Sequence, residues 1–150
     1  MTQAKPILLA DDDDRDIEWT LTALEGHHLA NRVTVVRNGE EALDYLRGGG
    51  KYQAGGADPP VVLLLDLKLP KVDGLEVLRQ IRADEKFGLL PVVMLTSSHQ
   101  ERDLVESYRL GANAYVLKPI DFTEFMDSVG RAGAFWVLVN APPPCCVGPV

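Results

Sequence analysis

Residues 61–66 read VVLLLD: five aliphatic side chains with no polar interruption, then a carboxylate. A strand with one wet face alternates apolar with polar residues, so an unbroken run this short describes a strand covered on both faces, as in the interior of a parallel sheet. Four further runs are strand candidates on either side of it: Pro6–Ala10, Arg32–Val36, Pro91–Leu95 and Ala114–Leu117. Helical patterns fill the intervals. Ile17, Leu21 and Leu24 recur at helical spacing behind Asp13 and Asp16, which can cap and charge a first turn, and this helix is expected to end near Leu29. Asn38 and Glu41 form a capping-box pattern ahead of Ala42, Leu43 and Leu46, and Gly48–Gly50 stops that helix. Leu75, Leu78 and Ile81 follow Gly74. Ser98 and Glu101 are expected to cap a helix with Leu104, Val105 and Tyr108 that ends at Gly111. Asp121 heads a last one that buries Phe122, Phe125, Met126 and Val129. Five strand–helix units with right-handed crossovers give an α/β fold: a flavodoxin-like, doubly wound, five-stranded parallel sheet in the order 2-1-3-4-5.

The 150 residues suit one domain. One unit of these helices and strands is expected over 1–133, followed by an arm over 134–150 that is apolar from Ala134 to Val139 and then interrupted by Pro142–Pro144. Residues from Gly48 to Pro60 read as a flexible surface loop. With 46% hydrophobic and 25% charged residues the chain is in the range of folded proteins rather than disordered ones. Fifteen Lys and Arg against 22 Asp and Glu leave a net charge of −7, which disfavours nucleic acid and anionic membranes as partners. No apolar stretch is long enough to span a bilayer or serve as a secretion signal. Cys145 and Cys146 are adjacent in a Pro-rich segment and suit neither a disulfide framework nor a zinc site, so a reducing, cytoplasmic setting is expected.

In sheets of this kind ligands bind beyond the carboxyl ends of the strands. The first run ends in Asp11 to Asp14, the third in Asp66, the fourth in Thr96 and Ser97, the fifth in Lys118 and Pro119. Two like charges about 4 Å apart repel by about 4 kcal/mol at an effective dielectric of about 20, so a cluster of these carboxylates needs positive charge. Lys118 supplies one. An all-oxygen donor set without Cys or His suits a hard cation such as Mg²⁺. A hydroxyl, an ammonium and a divalent ion are the groups to place around a phosphoryl group, with Asp66 as its nucleophile.

The segments ILLADDD (7–13), VVLLLDLKLPKVDG (61–74), VVMLTSS (92–98) and GANAYVLKP (111–119) resemble a response-regulator receiver domain over residues 5–130. They are most similar to the stand-alone receivers that work with phytochrome-type histidine kinases. That resemblance implies a phosphorelay protein whose Asp66 accepts a phosphoryl group from a kinase phosphohistidine. It puts Mg²⁺ on Asp11, Asp12, Asp66 and the backbone carbonyl of Lys68, with Asp12 the direct ligand of the acidic pair and Asp11 acting mainly through water. Thr96 and Tyr115 become the switch hydroxyl and aromatic, Lys118 the phosphate-binding lysine, and the bond before Pro119 a cis peptide. It also implies signalling by protein contacts, with no enzymatic activity beyond assisting its own phosphotransfer and slow dephosphorylation. A homodimer through the last two helices, the fifth strand and the arm, including Phe135, Trp136, Val137 and Leu138, is expected.

Lys68 departs from the Asn or other neutral polar residue frequent at that position, and its ammonium can influence the lifetime of a phosphoaspartate. Asp13 and Asp14 read as helix-capping residues, and His27, His28 and His99 as surface or loop residues. Three other readings share parts of the pattern. A flavodoxin-like nucleotide binder is disfavoured because four aspartates in the first loop would repel phosphate. A phosphatase of the haloacid dehalogenase type would carry a second Asp where Lys68 stands. A phosphorylation-independent interaction module would not need Asp11, Asp12, Asp66, Thr96 and Lys118 together.

Overall fold

The computed structural model describes residues 6–52 and 59–144; Cys145, Cys146 and the middle of the Gly48–Pro60 loop lie outside them. The strands are β1 (Ile7–Ala10), β2 (Val33–Val36), β3 (Val62–Leu65), β4 (Val92–Thr96) and β5 (Ala114–Leu117), and the helices α1 (Asp14–Glu25), α2 (Gly39–Arg47), α3 (Gly74–Ala83), α4 (Glu101–Arg109) and α5 (Phe122–Ala134). All strand pairs are parallel, in the order β2-β1-β3-β4-β5. The aliphatic strands β1, β3 and β4 are buried along their whole length, whereas the edge strands β2 and β5 are mostly half-buried.

Period-two alternation divides the core into layers. Leu8, Ala10, Leu63, Leu65 and Met94 pack with Leu43 and Leu46 of α2 and Val77, Leu78 and Ile81 of α3. Ile7, Leu9, Val62, Leu64 and Val93 face the other way, with Ile17 and Leu24 of α1, and Leu95 joins Phe125 and Val129 of α5. A Cβ on Gly133 would stand 2.2 Å from Leu24 Cδ2, so α5 and α1 approach closely because that position carries no side chain.

The structure departs from the sequence expectations at four element ends. α1 stops at Glu25, where Gly26 and a turn with His28 at φ 59° end it before Leu29. α4 is capped at Gln100 without a side-chain bond; Ser98 Oγ instead donates to Asp103 Oδ2 at 2.6 Å and accepts from the Gln100 N–H. Phe122, the first residue of α5, is 48% exposed while Phe125 and Val129 are buried. After Gly133 the chain does not leave the helix: α5 runs to Ala134 and passes into a π-helical turn over Phe135–Val139. Val137 of that turn is buried and Trp136 packs against the same layer, whereas Phe135, Leu138 and Val139 are exposed. Among the described residues no helix is long and apolar enough to cross a membrane.

Candidate functional site

Parallel pairing carries each strand end one hydrogen bond past the strand and fixes the residue there. The Asp11 N–H donates to the Val36 carbonyl (3.0 Å), that of Asp66 to Ala10 (3.0 Å) and that of Lys118 to Thr96 (2.8 Å). The residues after β1, β3 and β5 are therefore aligned along one sheet edge by backbone. Gly74 keeps the floor open: a Cβ there would lie 2.2 Å from the Asp66 carbonyl oxygen.

Lys118 is the electrostatic centre. Its side chain is 4% exposed, and Nζ donates to Asp11 Oδ2 at 2.7 Å, Asp16 Oδ2 at 3.0 Å and Asp66 Oδ2 at 3.2 Å. Asp16 was expected only to charge the start of α1. Its side chain also reaches Lys118 from the first turn of α1, and nothing in the sequence signalled that second contact. Asp13 does cap α1, its Oδ1 accepting from the Asp16 N–H, and Asp14 pairs with Arg37 at the surface.

One ammonium does not neutralise this group. Burial pushes the Asp11 carboxyl up to about 6, although Lys118 pulls it down. Burial raises Asp66 as well, against Lys118 and the backbone N–H groups of Lys68 and Leu67. On Lys118, burial favours the neutral amine, but the carboxylates of Asp66 and Asp11 outweigh it and hold the ammonium well above its ordinary range. Asp11, Asp12 and Asp66 each offer a carboxylate oxygen, and these lie within 4.8 Å of one another. An all-carboxylate trio with excess negative charge fits a hard divalent cation.

Asp12, Asp16, Asp66, Lys68, Thr96 and Lys118 line a cleft of about 520 Å³, with exposed His99 also among its lining residues. Thr96 is buried, and its Oγ1 accepts from the Ser98 N–H at 3.1 Å. Tyr115 does not line the cleft; its hydroxyl donates to the Ser98 carbonyl at 3.1 Å. Ser98, expected as a helix cap, thus ties both of these residues to α4. The Lys118–Pro119 bond is trans, as no cis peptide occurs among the described residues. The expected cis bond is not needed to aim the lysine, since Nζ already reaches three carboxylates, and trans is the ordinary preference of an X–Pro bond by about 0.5–1 kcal/mol.

Residues 7–130 match the family model of the response regulator receiver domain. The chain is 34% identical to the response regulator Rcp1 of Synechocystis over 133 residues, 89% of each chain. It superposes on the crystal structure of Mn²⁺-bound Rcp1 with a TM-score of 0.86 at 33% identity, covering 93% of this chain and 99% of that one. The structure of the phosphorylated cyanobacterial phytochrome response regulator RcpA gives a TM-score of 0.87 at 36% identity, over 95% of this chain and 100% of the other. The bacteriophytochrome response regulator RtBRR is 53% identical, with a TM-score of 0.74, over 96% and 87% of the two chains.

Proposed function

The chain belongs to the response regulator receiver domain family of two-component signalling proteins, and from that membership we propose that Asp66 is its phosphoacceptor. A carboxylate oxygen of Asp66 attacks the phosphorus of a kinase phosphohistidine, the P–N bond breaks, and the electron pair leaves with the imidazole. Lys118, already 3.2 Å from Asp66 Oδ2, turns a donor to the phosphoryl oxygens, and Thr96 Oγ1 turns to them from the Ser98 N–H. Asp11, Asp12 and Asp66, with the Lys68 carbonyl, hold Mg²⁺. The ion, when bound, neutralises charge on the transferred group. The observation that carries this reading is the buried Lys118 shared by Asp11 and Asp66 in one cation-deficient pocket.

The partner is a histidine kinase of the phytochrome type, a reading supported by the similarity to the phytochrome response regulator RcpA and the bacteriophytochrome response regulator RtBRR. The protein works in the cytoplasm, and residues 1–133 form its receiver unit. The exposed apolar side chains of Leu104, Val105, Tyr108 and Leu117, continued by Phe135 and Leu138, form the contact face of a homodimer. Because Val137 is buried, that face is tested by polar substitution of Phe135 and Leu138 rather than by truncation: the variant sediments as a monomer, and an unchanged dimer rejects the face. Acetyl phosphate with Mg²⁺ tests the site. Mass spectrometry should find one base-labile phosphoryl group per chain, absent from Asp66→Asn; a modification elsewhere, or none, rejects the assignment.

A further inference from the structure

An ammonium has three N–H donors, and all three of Lys118 are committed, to Asp11, Asp16 and Asp66. Two of these acceptors belong to the phosphorylation site. The third, Asp16, comes from a different element, the first turn of α1. Its backbone is pinned, the N–H bonded to the Asp13 cap at 2.9 Å, so its carboxylate can follow a moving lysine only by rotating its own short side chain. Nor is Asp16 a member of the trio of carboxylates suited to a cation.

We propose that Asp16 is a positioning residue that tethers Lys118 on the α1 side of the cleft, so that the Asp16 carboxylate competes with a phosphoryl group for the lysine. This rests on the assignment of Asp66 and Lys118 above. The tether acts as a brake. In the unmodified protein it satisfies the third donor and keeps the ammonium shared among carboxylates. In the modified protein the same bond competes with the phosphoryl oxygens for the only lysine in the cleft wall that is buried. Cutting the tether therefore shifts the equilibrium toward the phosphorylated form. Keeping a carboxylate there, even a longer one, preserves the competition.

The probe is beryllofluoride at saturating Mg²⁺, titrated against wild type, Asp16→Asn, Asp16→Ala and Asp16→Glu by tryptophan fluorescence or NMR. Asp16→Asn and Asp16→Ala should bind roughly five- to tenfold more tightly, the order expected for removing one charge acting through a partly solvated cleft, and Asp16→Glu should stay near wild type. Equal affinities in all four, weaker binding by the Asn and Ala variants, or tighter binding by Asp16→Glu as well overturns the tether. Wild type that takes no beryllofluoride, and no phosphoryl group on Asp66 from acetyl phosphate, overturns instead the assignment on which the tether rests.

Discussion

Replacing Asp11 by Asn should stabilise the metal-free protein while disabling its site. The Asp11 side chain is 1% exposed, and burial lifts its pKa from the ordinary 3.8 to about 6 even with Lys118 Nζ 2.7 Å away. A carboxyl whose pKa is higher in the folded than in the unfolded chain favours folding when protonated. Its contribution is therefore present below about 4 and lost as pH rises through about 6. At about 1.4 kcal/mol for each tenfold change in acidity, the distance from 3.8 to about 6 makes ionised Asp11 a burden of about 3 kcal/mol on the folded state at neutral pH. Asn has the same shape without the charge, and Lys118 keeps Asp16 and Asp66. Urea unfolding followed by tryptophan fluorescence, with chelator present, should show Asp11→Asn about 2–3 kcal/mol more stable than wild type at about pH 8 and nearly equal at about pH 4. Mg²⁺ at about 1,000 times its Kd reverses the order, since ligand at that level adds about 4.1 kcal/mol to the protein that binds it. A variant less stable than wild type at the higher pH, or a gain independent of pH, refutes the reasoning.

Gly133→Ala forces a Cβ to 2.2 Å from Leu24 Cδ2 and should cost about 1–3 kcal/mol, seen as a lower thermal midpoint; Gly26→Ala, with a helical φ of −59° and its nearest contact at 3.4 Å, should leave the midpoint almost unchanged. Arg82 donates to the carbonyls of Gly88, Leu90 and Gly111 and to Asn113 Oδ1, clamping the loops at the far end of β4 and β5. Arg82→Ala should lose about 3 kcal/mol of stability in urea unfolding, and Arg82→Lys most of that, because an ammonium cannot reproduce the planar fork. Lys68→Asn removes an exposed four-carbon stem from the cleft lining and should shorten the phosphoaspartate lifetime by roughly fivefold, about 1 kcal/mol of barrier; equal dephosphorylation rates dispose of the effect.

The sheet was legible because its inner strands are apolar throughout except for Thr96 at the end of β4, and backbone pairing then forces whatever follows β1, β3 and β5 into one place. Asp11, Asp66 and Lys118 could be read from strand endings alone for that reason. Asp16 could not, because a carboxylate in the first turn of a helix has a sufficient local explanation in the capping charge it supplies, and nothing in the periodicity says that its side chain crosses to a lysine 102 residues away. Periodicity likewise identifies Leu104, Val105 and Tyr108 as an apolar stripe without saying whether anything covers it. In α4 only Ser107 is buried. The continuation of α5 through Val139 was obscured by the proline run behind it, which ends the helix later than the loss of apolar spacing after Gly133 implied.

Ser98 joins the cleft to that uncovered stripe. Its N–H is held by Thr96 Oγ1, its carbonyl by the Tyr115 hydroxyl and its Oγ by Asp103 of α4, and Asp103 in turn accepts through its backbone carbonyl from Ser107, the buried residue of α4. A phosphoryl group that draws the Thr96 hydroxyl away leaves the Ser98 N–H unpaired in a half-buried position, a penalty of about 1–3 kcal/mol unless the loop moves. Moving the loop pulls on Asp103 and on Tyr115 together, and both lie beside the exposed Leu104, Val105 and Tyr108. On the proposed site assignment, the mechanical consequence of phosphorylation would therefore be delivered to α4, whose Leu104, Val105 and Tyr108 are exposed, at an energy large enough to shift a population tenfold and small enough to reverse on hydrolysis.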